Sequence, residues 1–446
     1  MYACEQMAGV KNMAIGFLIC LICLLGGCGK PPERASGEFP QDVYVWQRVW
    51  TEAVEQAVVE SRALSGGRIR RVVPLVAEVN FQGVEPHVVR PAVSFEALKN
   101  GECGLALRIA PFAGPFERDD ARCRFLQELA VSLVADAQKA GCRVAELQID
   151  FDCAESKLDG YRVWVSAIRD ALLDTESTEK QRTQRVKIII TALPCWLERP
   201  AFGALAREAG EFVLQVHAAE APRAGEEPIL CDIERARRWV EKAARFGVPF
   251  RVALPTYSSH VAVNEAGKIV AVSSEAPLAK CPADARVFTL RADASALARQ
   301  VAAWTQDRPA AMTGVIWYRL PVSTDRMNWR WPTLNAVMDG REPRSDLRVE
   351  LLECARLAAA FEIAPIDIVL VNAGERDEPL PSRIRLRWND AKLVAVDALR
   401  GFELERADGH VTFISTFSGA VLSPGERRVV GWIRLDNPVL VYVEDN

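Results

Sequence analysis

Two aspartates, Asp150 and Asp152, are the residues of this chain whose type and spacing best suit chemistry. They end the run Leu147-Gln148-Ile149-Asp150-Phe151-Asp152, in which apolar and polar residues alternate. A period of two marks a strand and puts residues i and i+2 on one face. Leu147, Ile149 and Phe151 therefore share one face, and Gln148, Asp150 and Asp152 the other. Side chains two apart on a strand are separated by about 6–7 Å. Two carboxyls that close in a partly dry place do not both ionise easily, so one pKa rises, which is what a general acid needs. Glycoside hydrolysis commonly uses a carboxyl pair, one donating a proton and one assisting as base or nucleophile. From a single strand the pair cannot flank a bond, so one aspartate would act and the other would tune it. The competing reading is that they cap the following turn and helix or bind a cation.

Other polar side chains fall on the same kind of row. Glu78 and Arg108 lie on neighbouring strands and are expected as a buried ion pair. Gln215 and His217 alternate with Leu214 and Val216. Polar groups inside a barrel must be paired or hydrated, at a cost of several kcal/mol each otherwise. Trp46, Trp196, Tyr257, Trp317 and Tyr318 fall at or near strand ends, where flat apolar sugar faces can stack; aromatic rings are equally ordinary core material. With Gln148 and His217 they make the candidate substrate-binding set. A metal-assisted alternative would use Asp150, Asp152 and His217 as ligands. The chain has only four His, at 87, 217, 260 and 410, and no H-E-x-x-H motif, so no metal or cofactor is expected.

The elements that must position these residues recur along the chain. Strand-like apolar runs occur at 43–47, 72–80, 105–111, 146–152, 187–193, 212–217, 250–257 and 315–321. Helical spacing separates them, as at Phe125, Leu126, Leu129 and Leu133, at Leu158, Tyr161, Val165, Ile168 and Leu172, and at Ile233, Ala236, Val240 and Ala244. Alternation repeated eight times predicts parallel strands with crossover helices, an α/β eight-stranded TIM-type barrel. An open doubly wound sheet usually carries a glycine-rich loop after its first strand; here Arg48-Val49-Trp50-Thr51 stands there. Asp150 and Asp152 then fall at the carboxyl end of the fourth strand, where barrel enzymes keep their chemistry. Val261 and Val263, Asn264-Glu265-Ala266-Gly267, then Val270 and Val272 predict a hairpin inserted on that face. After about 345 short strands dominate (366–372, 384–388, 402–406, 411–415, 427–434), with helical spacing at 351–361, predicting a small β-sandwich-like domain.

The ends and the composition bound the rest. The apolar run Met13–Leu25 is too short for a spanning helix of roughly 20 residues and fits a secretory signal. It ends in Leu25-Gly26-Gly27-Cys28, which resembles the lipobox of bacterial lipoproteins, with Cys28 acylated. Gly29 rather than Asp after it implies, by resemblance to Gram-negative lipoproteins, the outer membrane. The expected organisation is a signal peptide at 1–27, a lipid-anchored tether at 28–42, the barrel at 43–344 and the β-rich domain at 345–446. A net charge of −4 with 26% charged residues shows no basic field and argues against nucleic acid. Of 12 cysteines, eight lie beyond Cys28. Cys153 and Cys195, ending adjacent strands, are the expected disulfide.

The stretch from Leu147 to Cys153 with Leu158-Asp159-Gly160-Tyr161 resembles an uncharacterised bacterial barrel family, described only as a domain of unknown function. Val43-Tyr44-Val45-Trp46-Gln47-Arg48 fits it, as do Asp367-Ile368-Val369-Leu370-Val371-Asn372-Ala373-Gly374, Ser423-Pro424-Gly425-Glu426-Arg427 and Gly431-Trp432-Ile433-Arg434. That resemblance implies a fold and no activity. A weaker one is to chitinase-type barrels, which carry D-x-D-x-E at the end of the fourth strand, the glutamate being the acid. Asp150 and Asp152 match; Ala154 stands at the glutamate position and Glu155 is one residue late. Trp317 resembles the sugar-platform tryptophan of that group.

The sequence thus points to an exported lipoprotein of the cell envelope, joined to a membrane through Cys28, whose barrel hydrolyses an envelope or environmental polysaccharide. A non-catalytic envelope lipoprotein that binds glycan or protein is the alternative. Oligomeric state is not readable.

Overall fold

The structure, a computed structural model, describes residues 32–82, 85–174, 185–218, 230–274, 278, 281, 284–353, 363–399, 401–417 and 419–444. The expected signal peptide and Cys28 lie outside the described residues. Among the described residues, no helix is long and apolar enough to cross a membrane.

The chain enters through a two-residue strand, β1 (Arg34–Ala35). The barrel then begins with β2 (Gln41–Val45) and β3 (Ile69–Asn80), the latter extended by the antiparallel β4 (His87–Val89). β5 (Glu102–Ile109), β6 (Arg143–Phe151), β7 (Lys187–Ala192), β8 (Phe212–Gln215) and β9 (Phe250–Pro255) follow. An excursion of β10 (Ser258–Val263), β11 (Ile269–Ser273) and β12 (Arg286–Arg291) precedes β13 (Arg308–Pro309) and the last barrel strand, β14 (Met312–Tyr318). The parallel order β2-β14-β9-β8-β7-β6-β5-β3 closes because β2 also pairs with β3. All eight expected barrel strands are present. The expected hairpin is there as β10 and β11, turned by Gly267 in a left-handed conformation. The sequence reading missed β12, which pairs with β10 to make a three-stranded sheet.

Crossover helices α1 (Glu52–Leu64), α2 (Ala121–Lys139), α3 (Leu158–Asp174), α4 (Pro200–Ala209), α5 (Ile233–Ala244), α6 (Ala294–Gln306) and α7 (Trp331–Met338) cover the barrel. Several start on an aspartate that accepts from a free backbone N–H of the first turn, as Asp120 does from Arg122 at 2.8 Å and Asp293 from Ala296 at 3.0 Å. Between strands and helices Trp164 is fully buried against Phe112, Phe116 and Phe151. Gly160 makes room for this packing, since a Cβ there would lie 2.5 Å from the Phe116 ring.

Inside, the barrel is layered. At the amino ends of the strands Arg251, 1% exposed, pairs with Asp42 at 2.6 Å, Glu146 at 3.0 Å and Glu211 at 3.1 Å. Arg71 also binds Glu146. Gly104 leaves the space Glu146 occupies; a Cβ would come within 2.9 Å of its Cγ. Above this charged layer sits an apolar one of Val73, Ala106, Ile189, Val213, Ala253 and Ile316 around the Tyr44 ring.

The expected tether to residue 42 is corrected. From Arg34 on the chain is bound to the barrel base. β1 pairs with β13, Arg34 binds Asp307 and Glu241 at 2.7 Å, and Gly37 donates to Thr305 at 2.7 Å.

The C-terminal region holds two four-stranded antiparallel sheets and a short antiparallel ribbon of β17 (Glu378–Pro379) with β22 (Val421–Leu422). One sheet is β15 (Leu347–Glu353), β16 (Ile366–Asn372), β23 (Arg427–Leu435) and β19 (Leu393–Ala398). The other is β20 (Phe402–Ala407), β21 (His410–Ser415), β18 (Arg383–Trp388) and β24 (Val441–Glu444). Ile368, Leu370 and Ile433 from the first meet Leu386, Trp388 and Phe413 from the second in a common core, the expected sandwich. The helical spacing at 351–361 is overridden at its start, where Leu351 to Glu353 pair with β16; 354–362 lie outside the described residues. The sandwich meets the barrel through Glu375, which binds Arg341 and accepts from the Arg344 backbone at 2.9 Å, and whose carbonyl accepts from Thr333.

Candidate functional site

The alternation of β6 does what its sequence requires. Leu147, Ile149 and Phe151 lie under the helices, with the Tyr161 hydroxyl donating to the Ile149 carbonyl at 3.2 Å. Glu146, Gln148 and Asp150 point into the barrel on three successive levels. Asp150, on the uppermost, is 14% exposed. Its Oδ1 accepts from the Thr191 hydroxyl of β7 at 2.7 Å, and its Oδ2 lies 3.9 Å from Arg108 Nε of β5. Burial, and secondarily the charge of Asp152, push its carboxyl up to about 6, against the pull of the Thr191 bond and of Arg108. Asp152, past the strand end, is exposed.

These groups line a cavity of about 150 Å³ at the carboxyl ends of the barrel strands. Typical drug-sized sites hold about 300–1,000 Å³, so this pocket has room for one small unit. Trp46 and Tyr318 form part of its wall, with ring centroids 5.5 Å apart, and Tyr257 stands 5.3 Å from Tyr318. His217, 5% exposed, has its Nδ1 3.3 Å from the Tyr257 hydroxyl and its ring against Tyr318. Burial pushes the imidazole down to about 3, so it is neutral at physiological pH, and lifts the Tyr257 phenol to about 12. Among the described residues, His217 Nε2 has no hydrogen-bond partner.

The pocket therefore gathers Asp150, Asp152, Trp46, His217, Tyr257 and Tyr318 from the expected set. Three other candidates stand elsewhere. Gln148 is one level down, accepting from the Tyr44 hydroxyl at 2.5 Å and donating to Glu146 at 2.6 Å. Trp196 is buried beneath the helices; its indole donates to the Cys153 carbonyl at 3.1 Å and fastens the turn after β6. Trp317 falls on the outer face by the alternation of β14, donates to Gln41 at 2.9 Å and packs on Trp329. A strand-end position fixes height along the barrel but not the face, and both tryptophans took the apolar side.

The expected Glu78–Arg108 pair is also corrected. The two are in register, yet Glu78 binds Arg48 at 2.6 Å, leaving Arg108 to face Asp150. Cys153 and Cys195 are free thiols; the Cys153 thiol donates to the Ala154 carbonyl at 3.5 Å. Glu155 lies in a short 3-10 turn (Glu155–Lys157) bound to Arg199, so it does not take the place Ala154 leaves without a carboxyl. Among the described residues no group of three or more His, Cys, Asp or Glu converges as a metal site. Tyr44, Thr191 and Gln215 also line the pocket but were not among the candidate site residues. Their inward position follows from alternation with neighbours on the apolar face, a signal present in the sequence.

Fold and site together define an α/β barrel protein with a carboxylate-bearing, aromatic-walled pocket at its strand ends. Residues 113–323 match the family described as Domain of unknown function (DUF3142), which meets the resemblance drawn from the sequence, and residues 357–436 match a second, Domain of unknown function (DUF8456). No curated protein matches the chain in sequence. Among solved structures, the spore cortex-lytic enzyme SleL of Bacillus megaterium QM B1551 is similar at 12% identity and a TM-score of 0.46, over 69% of this chain and 75% of that one. Chitinase ChiA74 from Bacillus thuringiensis is similar at 8% identity and a TM-score of 0.46, over 92% and 100%. A family GH18 chitinase from Chromobacterium violaceum has 12% identity and a TM-score of 0.38, over 94% and 91%. Likenesses at this level do not bear on activity.

Proposed function

We propose that this chain is an exported, lipid-anchored envelope protein whose barrel hydrolyses a sugar polymer, with Asp150 as the proton donor. The observation that carries the reading is the placement of Asp150, partly dry, between Thr191 and Arg108 in a pocket walled by Trp46, Tyr257 and Tyr318. A sugar ring set against that wall brings its glycosidic oxygen to the carboxyl. Asp150 gives its proton to the departing oxygen as the bond to the anomeric carbon breaks. Water then bonds to that carbon and returns a proton to Asp150, restoring the acid. Asp152, on the same strand end, raises the Asp150 carboxyl rather than attacking from the opposite face. Neutral His217 holds ring hydroxyls without adding charge.

The test is release of reducing ends from a panel of polysaccharides, peptidoglycan included, by the domain lacking Cys28. Release by wild type that disappears in folded Asp150→Asn is the expected result. Release undiminished in that variant sinks the assignment. Anchoring is tested separately: cells fed a radiolabelled fatty acid should label the wild-type chain and not Cys28→Ser.

One observation favours a second reading. Glu155 is turned to Arg199 and Ala154 presents no carboxyl, so the pocket draws its carboxyls from one strand end. A non-catalytic glycan-binding lipoprotein needs no more than that. Polymer binding without release across the panel would select it.

A further inference from the structure

Beside the acid pocket, on the same face, lies a second and larger hollow of about 510 Å³. Its walls are the segment after β2 (Gln47, Arg48, Val49), His260 of the inserted sheet, and the segment after β14 (Arg319 to Met327). The two spaces share a partition. Trp46 and Tyr318 line the pocket, and their chain neighbours Gln47 and Arg319 line the hollow.

Gln47 is the unusual member. Both its amide nitrogen and its amide oxygen are buried, and neither has a hydrogen-bond partner among the described residues. Shut off from solvent and unpartnered, this carboxamide satisfies both its groups only by turning into the adjoining hollow toward a ligand that accepts and donates together. The charges around it are largely cancelled within the chain. Arg48 is bound by Glu78 and Arg319 by Asp325, while Arg326 is exposed.

We propose that this hollow is a second binding site for the same polymer, taking the units next to the one in the acid pocket, with Gln47 reading vicinal hydroxyl or amide groups of an uncharged sugar chain. This rests on the sugar-polymer reading of the pocket and deepens it. The pocket has room for one unit and the hollow for several more, so the ligand is an internal stretch of a chain, and a short glycoside fills only half the site.

Binding, not turnover, tests this, so a failure of hydrolysis does not confound it. Asp150→Asn protein is titrated calorimetrically with dimers and hexamers of glucose, N-acetylglucosamine and galacturonic acid. A neutral hexamer should bind at least tenfold more tightly than its dimer. Gln47→Met keeps the stem and removes both polar atoms. It should abolish that advantage, leave dimer affinity unchanged and leave Tm no lower than that of wild type. Equal affinity for dimer and hexamer, a Gln47→Met protein that keeps the advantage, binding of the uronate hexamer alone, or no binding by any of the six overturns the proposal.

Discussion

Asp150 carries a consequence for stability as well as for catalysis. Its carboxyl titrates near 6 in the folded chain, above its ordinary value of 3.8. The folded state therefore holds more protons than the unfolded state between about pH 4 and 6, and stability falls as pH rises through that window. Asp150→Asn should remove the fall and stabilise the protein at pH 7 by about 1–3 kcal/mol. Urea denaturation at pH 4.5 and pH 7 reads the difference, and an equal effect at both pH values would refute the cause. If Asp150 is the acid, kcat should decline as pH rises past about 6, where the proton is lost. His217 has the opposite sign. Its pKa is lowered, so its contribution is lost as pH falls below about 6.5. Asp150 and the polar row of β6 were legible because alternation assigns a face. Trp196 and Trp317 were misplaced for the reason Trp46 was not: each sits near a strand end, but Trp317 follows Ile316, which takes the inward position.

At the scale of elements, the barrel depends on a charged floor and on glycines that leave room. Arg251 holds Asp42, Glu146 and Glu211 together out of water. Arg251→Met would remove the cation the three share and leave Asp42 to Arg70, Glu146 to Arg71 and Glu211 to Lys187; breaking such buried pairs costs up to about 3–5 kcal/mol. A loss below 1 kcal/mol in urea would mean that the floor is hydrated. Gly160 in α3 is a second such point. Its missing Cβ admits the Phe116 ring, which Trp164 pins at a centroid distance of 4.7 Å. Gly160→Ala should overpack this cluster and cost about 1–3 kcal/mol, seen as a lower Tm. The family-like run Leu158-Asp159-Gly160-Tyr161 thus has a physical reading: glycine admits Phe116, and the tyrosine ties α3 to β6. The strands were legible because each is an apolar run of distinct length. β12 was not, since Arg286 to Arg291 lacks clean alternation and owes its form to the strand it pairs with; β15 does alternate, Leu347, Val349 and Leu351 against Arg348 and Glu350, but was passed over for the helical spacing that begins at Leu351.

At the scale of the molecule, barrel and sandwich meet at Glu375, with the ion pairs Arg291–Asp377 at 3.7 Å and Arg330–Glu426 at 3.8 Å crossing beside it. Its carboxyl is held below the usual carboxylate range, chiefly by its hydrogen bond with Arg341. Glu375→Ala should weaken the coupling of the two units, so that calorimetry broadens or splits the single unfolding transition expected of wild type. A single unshifted transition would show that other contacts join them. The partition into barrel and sandwich was readable from the change in element length after residue 345. The join was not, because Glu375 is one carboxylate among many until the fold sets Arg341 and Thr333 beside it.

The short pairing of β1 with β13 also fixes an orientation. β13 immediately precedes β14, so β1 is bound at the amino ends of the barrel strands, opposite the pocket. With Cys28 acylated as proposed, the six steps to Arg34 span at most about 20 Å. The barrel then stands base-down on the bilayer with its mouth turned outward. Chains reaching Asp150 must arrive from the side away from the lipid, which favours a wall or extracellular polymer over a glycan still attached to a carrier in the same membrane.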